Sequence, residues 1–424
     1  MRVGRAISVA VVGVLVAAAC GSDDNGSGAE TTVGADTTAG ASTVAATTTQ
    51  GGAATTAGDG TVASDCSLDE PLKIGYAADF SDLGGFVDRP GSEAAGVQVD
   101  LINVAGGVGG QQVEYVVKEL PADPSGAQRV AQELLDEGVD AIIAPPFAYN
   151  GGPLIDTVAG QVPVISNAST DLALADAARG AFLMSFSDPV QAAAAAELAA
   201  RDGATTAVTF SSPDDAYFTN TTAAFTAAFT EGGGEVVRDF TYGLADEDFS
   251  SQVNELAGLD PAPEVLYTAL IMPALAVLLE QLDAAGLGDV RVIGADSFDA
   301  TLVWTAGEAA EGVAFTAHTF PRDGNRVQEF LDAASEAGVE IETVSFGALA
   351  SDVVQVFAAA AEQACSIDGP TLIETIAGLS DLEVTTGTVT YAGTDGVPER
   401  DVTILTVEGG EPTFTDAFRP AFVP

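Results

Sequence analysis

Residues 123–145 read DPSGAQRVAQELLDEGVDAIIAP, and this stretch holds one complete helix-to-strand unit. Asp123 is a helix-capping residue with Pro124 at the first helical position, where its missing N–H costs nothing. Gly138 supplies the stop, the expected asymmetry between helix start and helix end. The run Val139-Asp140-Ala141-Ile142-Ile143-Ala144 is short and almost wholly apolar, as a buried strand requires. The alternation extends outward. Upstream lie a strand at Leu72–Ala77, a helix over 91–105 ending at Gly106-Gly107, and a strand at Val113–Val117; downstream lie a helix over 151–160 and a strand at Val162–Ile165. Strands alternating with helices build a parallel sheet covered on both faces.

After Asp188-Pro189 the pattern restarts: helix 190–201, strand 204–210, helix 215–231, strand 235–241, helix 249–258, strand 264–269, helix 273–285 and strand 290–294. The remaining segments (312–320, 325–337, 345–364, 370–378, and strands near 387–391 and 401–407) are too few for a third domain. They are expected to return and complete the first two. The fold class is therefore α/β: two doubly wound Rossmann-like lobes with several chain crossings, and a ligand cleft at the carboxyl ends of the strands.

Composition narrows the function. The 424 residues carry 62 acidic and 14 basic side chains, a formal charge of −48. Such a surface excludes nucleic acid and anionic lipid as natural partners, because both need basic patches. Only Lys73 and Lys118 are lysines; the acid surplus reflects either salt adaptation or a generally acidic proteome. His318 is the single imidazole, which removes multi-histidine metal sites and most general-base chemistry. A Ser-His-Asp triad would have to use it, and no nucleophile elbow is present. Its place in Thr316-Ala317-His318-Thr319 fits a hinge strand. Gly106-Gly107-Val108-Gly109-Gly110 follows a helix and precedes a strand, the reverse of a dinucleotide loop, and reads as a turn. Asp246-Glu247-Asp248 lacks calcium-loop spacing and reads as a solvated helix start. No enzyme activity, cofactor or metal is expected.

Arg2 and Arg5 precede an apolar run, Ala6–Ala19, too short to cross a bilayer comfortably. Its end, Leu15-Val16-Ala17-Ala18-Ala19-Cys20, resembles a bacterial lipobox with one extra alanine. That resemblance implies a lipoprotein signal peptide at 1–19 and lipidation of Cys20; the alternative is an ordinary secretion signal. Residues 20–67 are dominated by Gly, Ser, Thr, Ala and Asp, too little apolar bulk to offset ordering entropy, and read as a disordered tether. Cys66 and Cys365 remain. Outside the cytoplasm they are expected to be bridged, stapling the start of the fold to its C-terminal region; the alternative is two unpaired buried thiols.

Several stretches resemble the type I periplasmic binding proteins, specifically the branched-chain amino-acid-binding (Leu/Ile/Val-binding) branch that feeds ABC importers. They are LKIGYAADFSD (72–82), DLINVAGGVGGQQVEYV (100–116), the 123–145 unit, VPVISNAST (162–170), DEDFSSQVNEL (246–256) and GLGDVRVIGADSF (286–298). The resemblance spans about 70–410. It implies lobe 1 over 68–187 and 319–393 and lobe 2 over 188–318 and 394–424. The three hinge crossings would fall near Ser187-Asp188, His318-Thr319 and Thr390–Gly393. It further implies a monomer, lipid-anchored to the cell membrane, that passes a small ligand to ABC permease subunits.

The site residues follow from position and resemblance. Ser166–Asp171 follows a buried strand and is read as beginning a helical turn, a natural carboxylate seat; positions matching Ala168, Ser169 and Thr170 contact ligand in the relatives. Plain capping is the alternative. Phe147-Ala148-Tyr149 lies after strand 139–144. Phe147 stands where the relatives hold a ligand-binding serine, so the hydroxyl is lost and Tyr149 is the candidate replacement; Phe147 is alternatively a core aromatic. Asp296, just past strand 290–294, matches the acid that pairs with ligand ammonium, or is an N-cap. Tyr217 and Phe86 match aromatic lining positions, and Ile271 replaces a tyrosine; each alternatively serves packing. Asp296 and Thr170 argue for a zwitterion, Phe147 and Ile271 for a less polar amide or aromatic acid.

Overall fold

The computed structural model describes residues 66–81, 84–121 and 123–424. The signal peptide, Cys20 and the tether up to residue 65 lie outside these. The first alternation yields β1 (Lys73–Ala78), α1 (Gly85–Val104), β2 (Glu114–Glu119), α2 (Pro124–Asp136), β3 (Ala141–Ala144), α3 (Ala148–Val158), β4 (Val164–Ser166) and β5 (Ala181–Leu183). The strands form one parallel sheet in the order β2-β1-β3-β4-β5. Asp123 caps α2 by accepting from the Gly126 N–H at 2.8 Å.

The second alternation yields α4 (Asp188–Arg201), β6 (Thr206–Ser211), α5 (Ala216–Glu231), β7 (Glu235–Thr241), α6 (Ser250–Leu256), β8 (Val265–Thr268), α7 (Ala274–Ala284), β9 (Arg291–Gly294), α8 (Ser297–Ala300) and β10 (Ala314–Ala317). Their sheet repeats the first order as β7-β6-β8-β9-β10, again parallel. The chain then returns through α9 (Arg326–Glu336), α10 (Val344–Ala364), α11 (Gly369–Ala377) and the hairpin β11 (Leu382–Val384)/β12 (Gly387–Val389). It ends in β13 (Val402–Glu408) and β14 (Glu411–Phe418), which extend the second sheet antiparallel from β10.

Period-two alternation sorts the first lobe's core. Ala141 and Ile143 of β3, with Ile74 and Tyr76 of β1, face α1, α10 and α11, whereas Ile142 and Ala144 face α2 and α3. Helix α10 is long and apolar enough to cross a membrane, but its apolar face is buried in this core. Its C-cap, Cys365, is disulfide-bonded to Cys66 with a Cα–Cα distance of 5.3 Å, so the two are not separate thiols.

The crossings meet at one side chain. Arg400, 4% exposed, donates to the Met184 carbonyl (2.6 Å), the His318 carbonyl (3.3 Å) and the Thr386 hydroxyl (2.6 Å). Met184 follows β5, His318 follows β10, and Arg400 itself lies between β12 and β13, so one guanidinium ties all three. Asp352 of α10 completes the cluster: it accepts from the Thr386 N–H (3.2 Å) and hydroxyl. Burial pushes its carboxyl up to about 7 despite the opposing pull of Arg400.

Some elements differ from the sequence reading. Helix α1 starts at Gly85, not 91, and carries Pro90 inside its second turn. Strands β5, β11 and β14 were not anticipated. The third crossing falls later than Thr390–Gly393, because the Gly396 carbonyl still accepts from Leu183 of β5 at 2.8 Å. Gly396 has φ +88°, and a Cβ there would meet the Ala181 carbonyl oxygen at 2.6 Å, so only glycine fits this edge.

Candidate functional site

Both sheets share an order whose switch point lies between the first and third strands, and there the outgoing loops diverge to leave a crevice. In the first lobe that point is β1/β3; in the second it is β6/β8. A cavity of about 340 Å³ sits at these carboxyl ends, small enough for a solute of roughly amino-acid size. All ten ligand-site residues read from the sequence line it: Phe86, Phe147, Ala148, Tyr149, Ala168, Ser169 and Thr170 from the first lobe, and Tyr217, Ile271 and Asp296 from the second.

The first-lobe wall is aromatic. Phe147 stacks on Tyr149 (centroids 6.1 Å apart, planes 22° from parallel) and meets Phe86 edge-on at 6.5 Å. Phe147 is half-buried and occupies the N-cap of α3 without a side-chain cap bond, so it is cleft lining, not core. Tyr149 does not supply the missing serine's function as expected. Its hydroxyl donates to Asp79, the residue just after β1, which also accepts from Asn150 Nδ2 at 3.0 Å. Behind them Asp88 accepts from the Tyr76 hydroxyl (2.8 Å) and the Asp79 N–H (2.6 Å), and burial raises its carboxyl well above the ordinary range.

The Ser166–Asp171 segment also departs from expectation. The helical turn that follows spans only Leu172–Leu174, and Asp171, not Ser169 or Thr170, caps it by accepting from the Ala173 N–H at 2.9 Å. Ser169 Oγ accepts from the Asp171 N–H at 3.3 Å, and the Ser169 carbonyl accepts from the Ser185 hydroxyl. The segment is therefore a tight buried loop without a true helix N-terminus.

The second-lobe wall centres on Asp296, 5% exposed and positioned by β9. It stands at the N-cap of α8, yet its side chain makes no cap bond there. One oxygen instead accepts from the Tyr217 hydroxyl at 2.6 Å, and the other lies 3.1 Å from His318 Nε2. The Tyr217 hydroxyl in turn accepts from the Ser297 N–H at 3.2 Å. Burial favours the uncharged imidazole and lowers the His318 pKa, against the pull of Asp296. The ring stacks on Phe186 at 4.1 Å and touches Phe346 edge-on. Asp188 lies behind: Gln191 Nε2 donates to its Oδ1 at 3.3 Å while Gln191 Oε1 accepts from the Asp296 N–H at 3.0 Å. Burial raises the Asp188 carboxyl strongly, and the nearby Asp296 charge raises it further.

Sequence reasoning missed Asp79, placed His318 only in a hinge strand, and did not find Asp171, Asp214, Asp215 or Phe346 as wall residues. Asp79 directly follows β1 and His318 directly follows β10, so the carboxyl-edge rule applied to every strand would have found both. Among the described residues no group of three or more His, Cys, Asp or Glu side chains is arranged to hold a metal ion.

A solute-sized cavity walled by the strand ends of two hinged α/β lobes defines a two-lobed solute-binding protein. The sequence pattern of the periplasmic binding protein family matches residues 71–411, and the chain belongs to that family, as a type I member of its branched-chain amino-acid group. The family is extracytoplasmic and binds solutes. The chain is similar to "Leu/Ile/Val-binding protein homolog 3" of Brucella melitensis biotype 1, 24% identical over 327 residues, covering 76% of this chain and 87% of that one. Among solved structures it resembles the leucine-binding protein LivK of Thermotoga maritima (TM-score 0.70, 25% identity, 82% of this chain and 99% of that one). It shares its fold with a solute-binding protein of an R. palustris ABC transporter solved with benzoate (TM-score 0.68, 20% identity, 84% and 98%).

Proposed function

We propose that the protein is the solute receptor of an ABC importer, held to the outer face of the cell membrane by a lipid on Cys20. It takes an amino acid or a related small amphipathic solute into the cleft between lobe 1 (68–187 and 319–393, extended here to about residue 397) and lobe 2. Ten residues chosen from strand-end position and family resemblance line one 340 Å³ cavity, with both lobes contributing, and this observation carries the reading. Ser169 and Thr170 face the polar end of the solute, Asp296 its cationic end, and Phe86, Phe147, Tyr149, Tyr217 and Ile271 its body. The relatives named for leucine and for Leu/Ile/Val support an amino-acid ligand.

A ligand that touches both lobes shifts the hinge toward a closed form by its differential affinity for that form. Isothermal titration against amino acids, amides and aromatic acids, with small-angle scattering on the same samples, tests this. Binding with a measurable compaction is expected. A folded protein that binds none of them and never changes dimensions refutes the reading. For the anchor, Cys20→Ser is expected to move the protein from the membrane to the soluble fraction; unchanged fractionation refutes lipidation.

A further inference from the structure

We infer that the cleft selects its solute by a protonated amine attached to an apolar, preferably aromatic, body, and that a carboxylate on the solute is dispensable. The ligand class is thus amines and amino-acid amides as much as amino acids, and carboxylic acids without an amine are rejected. This rests on the reading of the cavity as the solute site.

Charge in the wall is one-sided. Four aspartates line the cavity, Asp171, Asp214, Asp215 and Asp296, and among the described residues no lysine, arginine or histidine does. Three of them are tied to backbone amides: Asp171 and Asp215 to Ala173 and Tyr217 (2.9 Å) two residues on, and Asp214 to Leu244 in the loop after β7 at 2.8 Å. Asp296 is different. It is buried, and both of its oxygens meet uncharged donors, the Tyr217 phenol and the His318 ring. These donors hold the carboxylate in place without cancelling its charge. A cation brought against it in a site that closes over water gains far more than the same pair would in solvent.

A second acid deepens this pole. Asp188 is 2% exposed and shares Gln191 with Asp296, and its Oδ2 has no hydrogen bond of good geometry, Thr170 being the hydroxyl that most favours its charged form. No lysine or arginine bonds to either acid among the described residues. Arg400, the closest buried cation to this corner, is spent on the Met184 and His318 carbonyls and on Thr386.

The opposite pole holds no cationic side chain among the described residues and few side-chain donors for an anion. Phe147 brings no hydroxyl, and the Tyr149 hydroxyl is given to Asp79. Of the hydroxyls among the sequence candidates there, those of Ser169 and Thr170 remain to donate. What this wall offers instead is ring surface, the Phe86–Phe147–Tyr149 cluster, which suits an apolar body and whose faces also attract cations.

The experiment is a calorimetric titration of the full folded chain at pH 7.5 and fixed ionic strength with two matched series. One is phenethylamine, phenylalaninamide, phenylalanine and 3-phenylpropanoate; the other is isopentylamine, leucinamide, leucine and 4-methylpentanoate. In at least one series the amine and amide are expected within about tenfold of the amino acid, and the deaminated acid at least 100-fold weaker than the amine. Asp296→Asn, with its melting curve as the fold control, is expected to weaken amine binding at least 100-fold without weakening the acid. A deaminated acid within tenfold of its amine, or an amino acid more than 100-fold tighter than both its amide and its amine, overturns the inference. If none of the eight binds while an unrelated anionic or neutral solute does, the inference falls and the solute-receptor reading stands. If no solute of any class binds, both fall.

Discussion

Arg400→Met is the substitution that most directly probes how the hinge is held. Methionine keeps much of the side-chain volume but removes every donor. The carbonyls of Met184 and His318, both buried, lose their guanidinium partner; the Thr386 hydroxyl keeps Asp352. An orphaned buried acceptor costs about 1–3 kcal/mol, so two carbonyls suggest roughly 2–6 kcal/mol. The uncompensated Asp352 charge would add about 3–5 kcal/mol if it stayed ionised. It need not, because its carboxyl already sits at about 7 with Arg400 present and rises further without it. The loss at pH 7 is therefore about 4 kcal/mol. Above pH 7 it should grow, since the variant must keep a proton on Asp352 that the parent has already released, at up to about 1.4 kcal/mol per pH unit. Equilibrium urea unfolding at pH 6, 7, 8 and 9 measures this, and Arg400→Met/Asp352→Asn should remove the extra loss above pH 7. A deficit under about 1 kcal/mol, or one that is flat from pH 6 to 9, refutes the account of Arg400 as the tie between crossings.

Three further outcomes are expected. Burial raises the carboxyls of Asp140 (to about 6) and of Asp299 and Asp352 (each to about 7), and raises those of Asp88 and Asp188 well above the usual range, so the native state holds protons that unfolded carboxyls, with pKa about 4, release. The stabilising contribution of Asp140, Asp299 and Asp352 is full below about pH 4 and is lost as pH rises through 6–7; His318, lowered by burial, works the other way. The urea midpoint should be higher at pH 5.5 than at pH 8, and equal or inverted midpoints contradict this. Reducing the Cys66–Cys365 bridge, which spans 299 residues, should lower stability by up to about 6 kcal/mol on the chain-entropy relation; unfolding with and without reductant measures it, and a change under about 1 kcal/mol argues against that loop closure. Finally, an ammonium placed beside Asp296 lowers the Asp188 pKa that burial raises, so amine binding should favour release of a proton. Calorimetry in two buffers of different ionisation enthalpy reads the release, and identical apparent enthalpies rule it out.

The sheet-and-helix alternation was legible because each unit is locally complete. Asp123, Pro124 and Gly138 mark one helix without help from the rest of the chain, and the short apolar runs can only be buried strands. The failures have equally local causes. The sequence reads as a helix from 91, yet α1 begins six residues earlier at Gly85, so Phe86 lies in its first turn at the cleft. Strand β5 has three residues, and its pairing to β4 and to Gly396 depends on chain far away in sequence. Strand β14 was missed although Gly409-Gly410, with φ of +64° and +83°, gives the two-residue turn of a tight hairpin. In the site, strand-end position found the wall residues, but it could not say which hydroxyl or carboxylate was already engaged. That Tyr149 serves Asp79, and that Asp296 leans on the lone histidine, depends on contacts spanning 70 and 22 residues.

The repeated 2-1-3-4-5 strand order has an evolutionary corollary. Both halves line the cavity with segments that leave the strands, while the pairing that keeps each half folded depends on inward-facing Ala, Val and Ile. Drift in those outgoing segments can rewrite the solute repertoire of one half at a time, leaving the other as an unchanged template. Chimaeras that exchange single strand-end segments with relatives should therefore stay folded more often than their low overall identity would suggest.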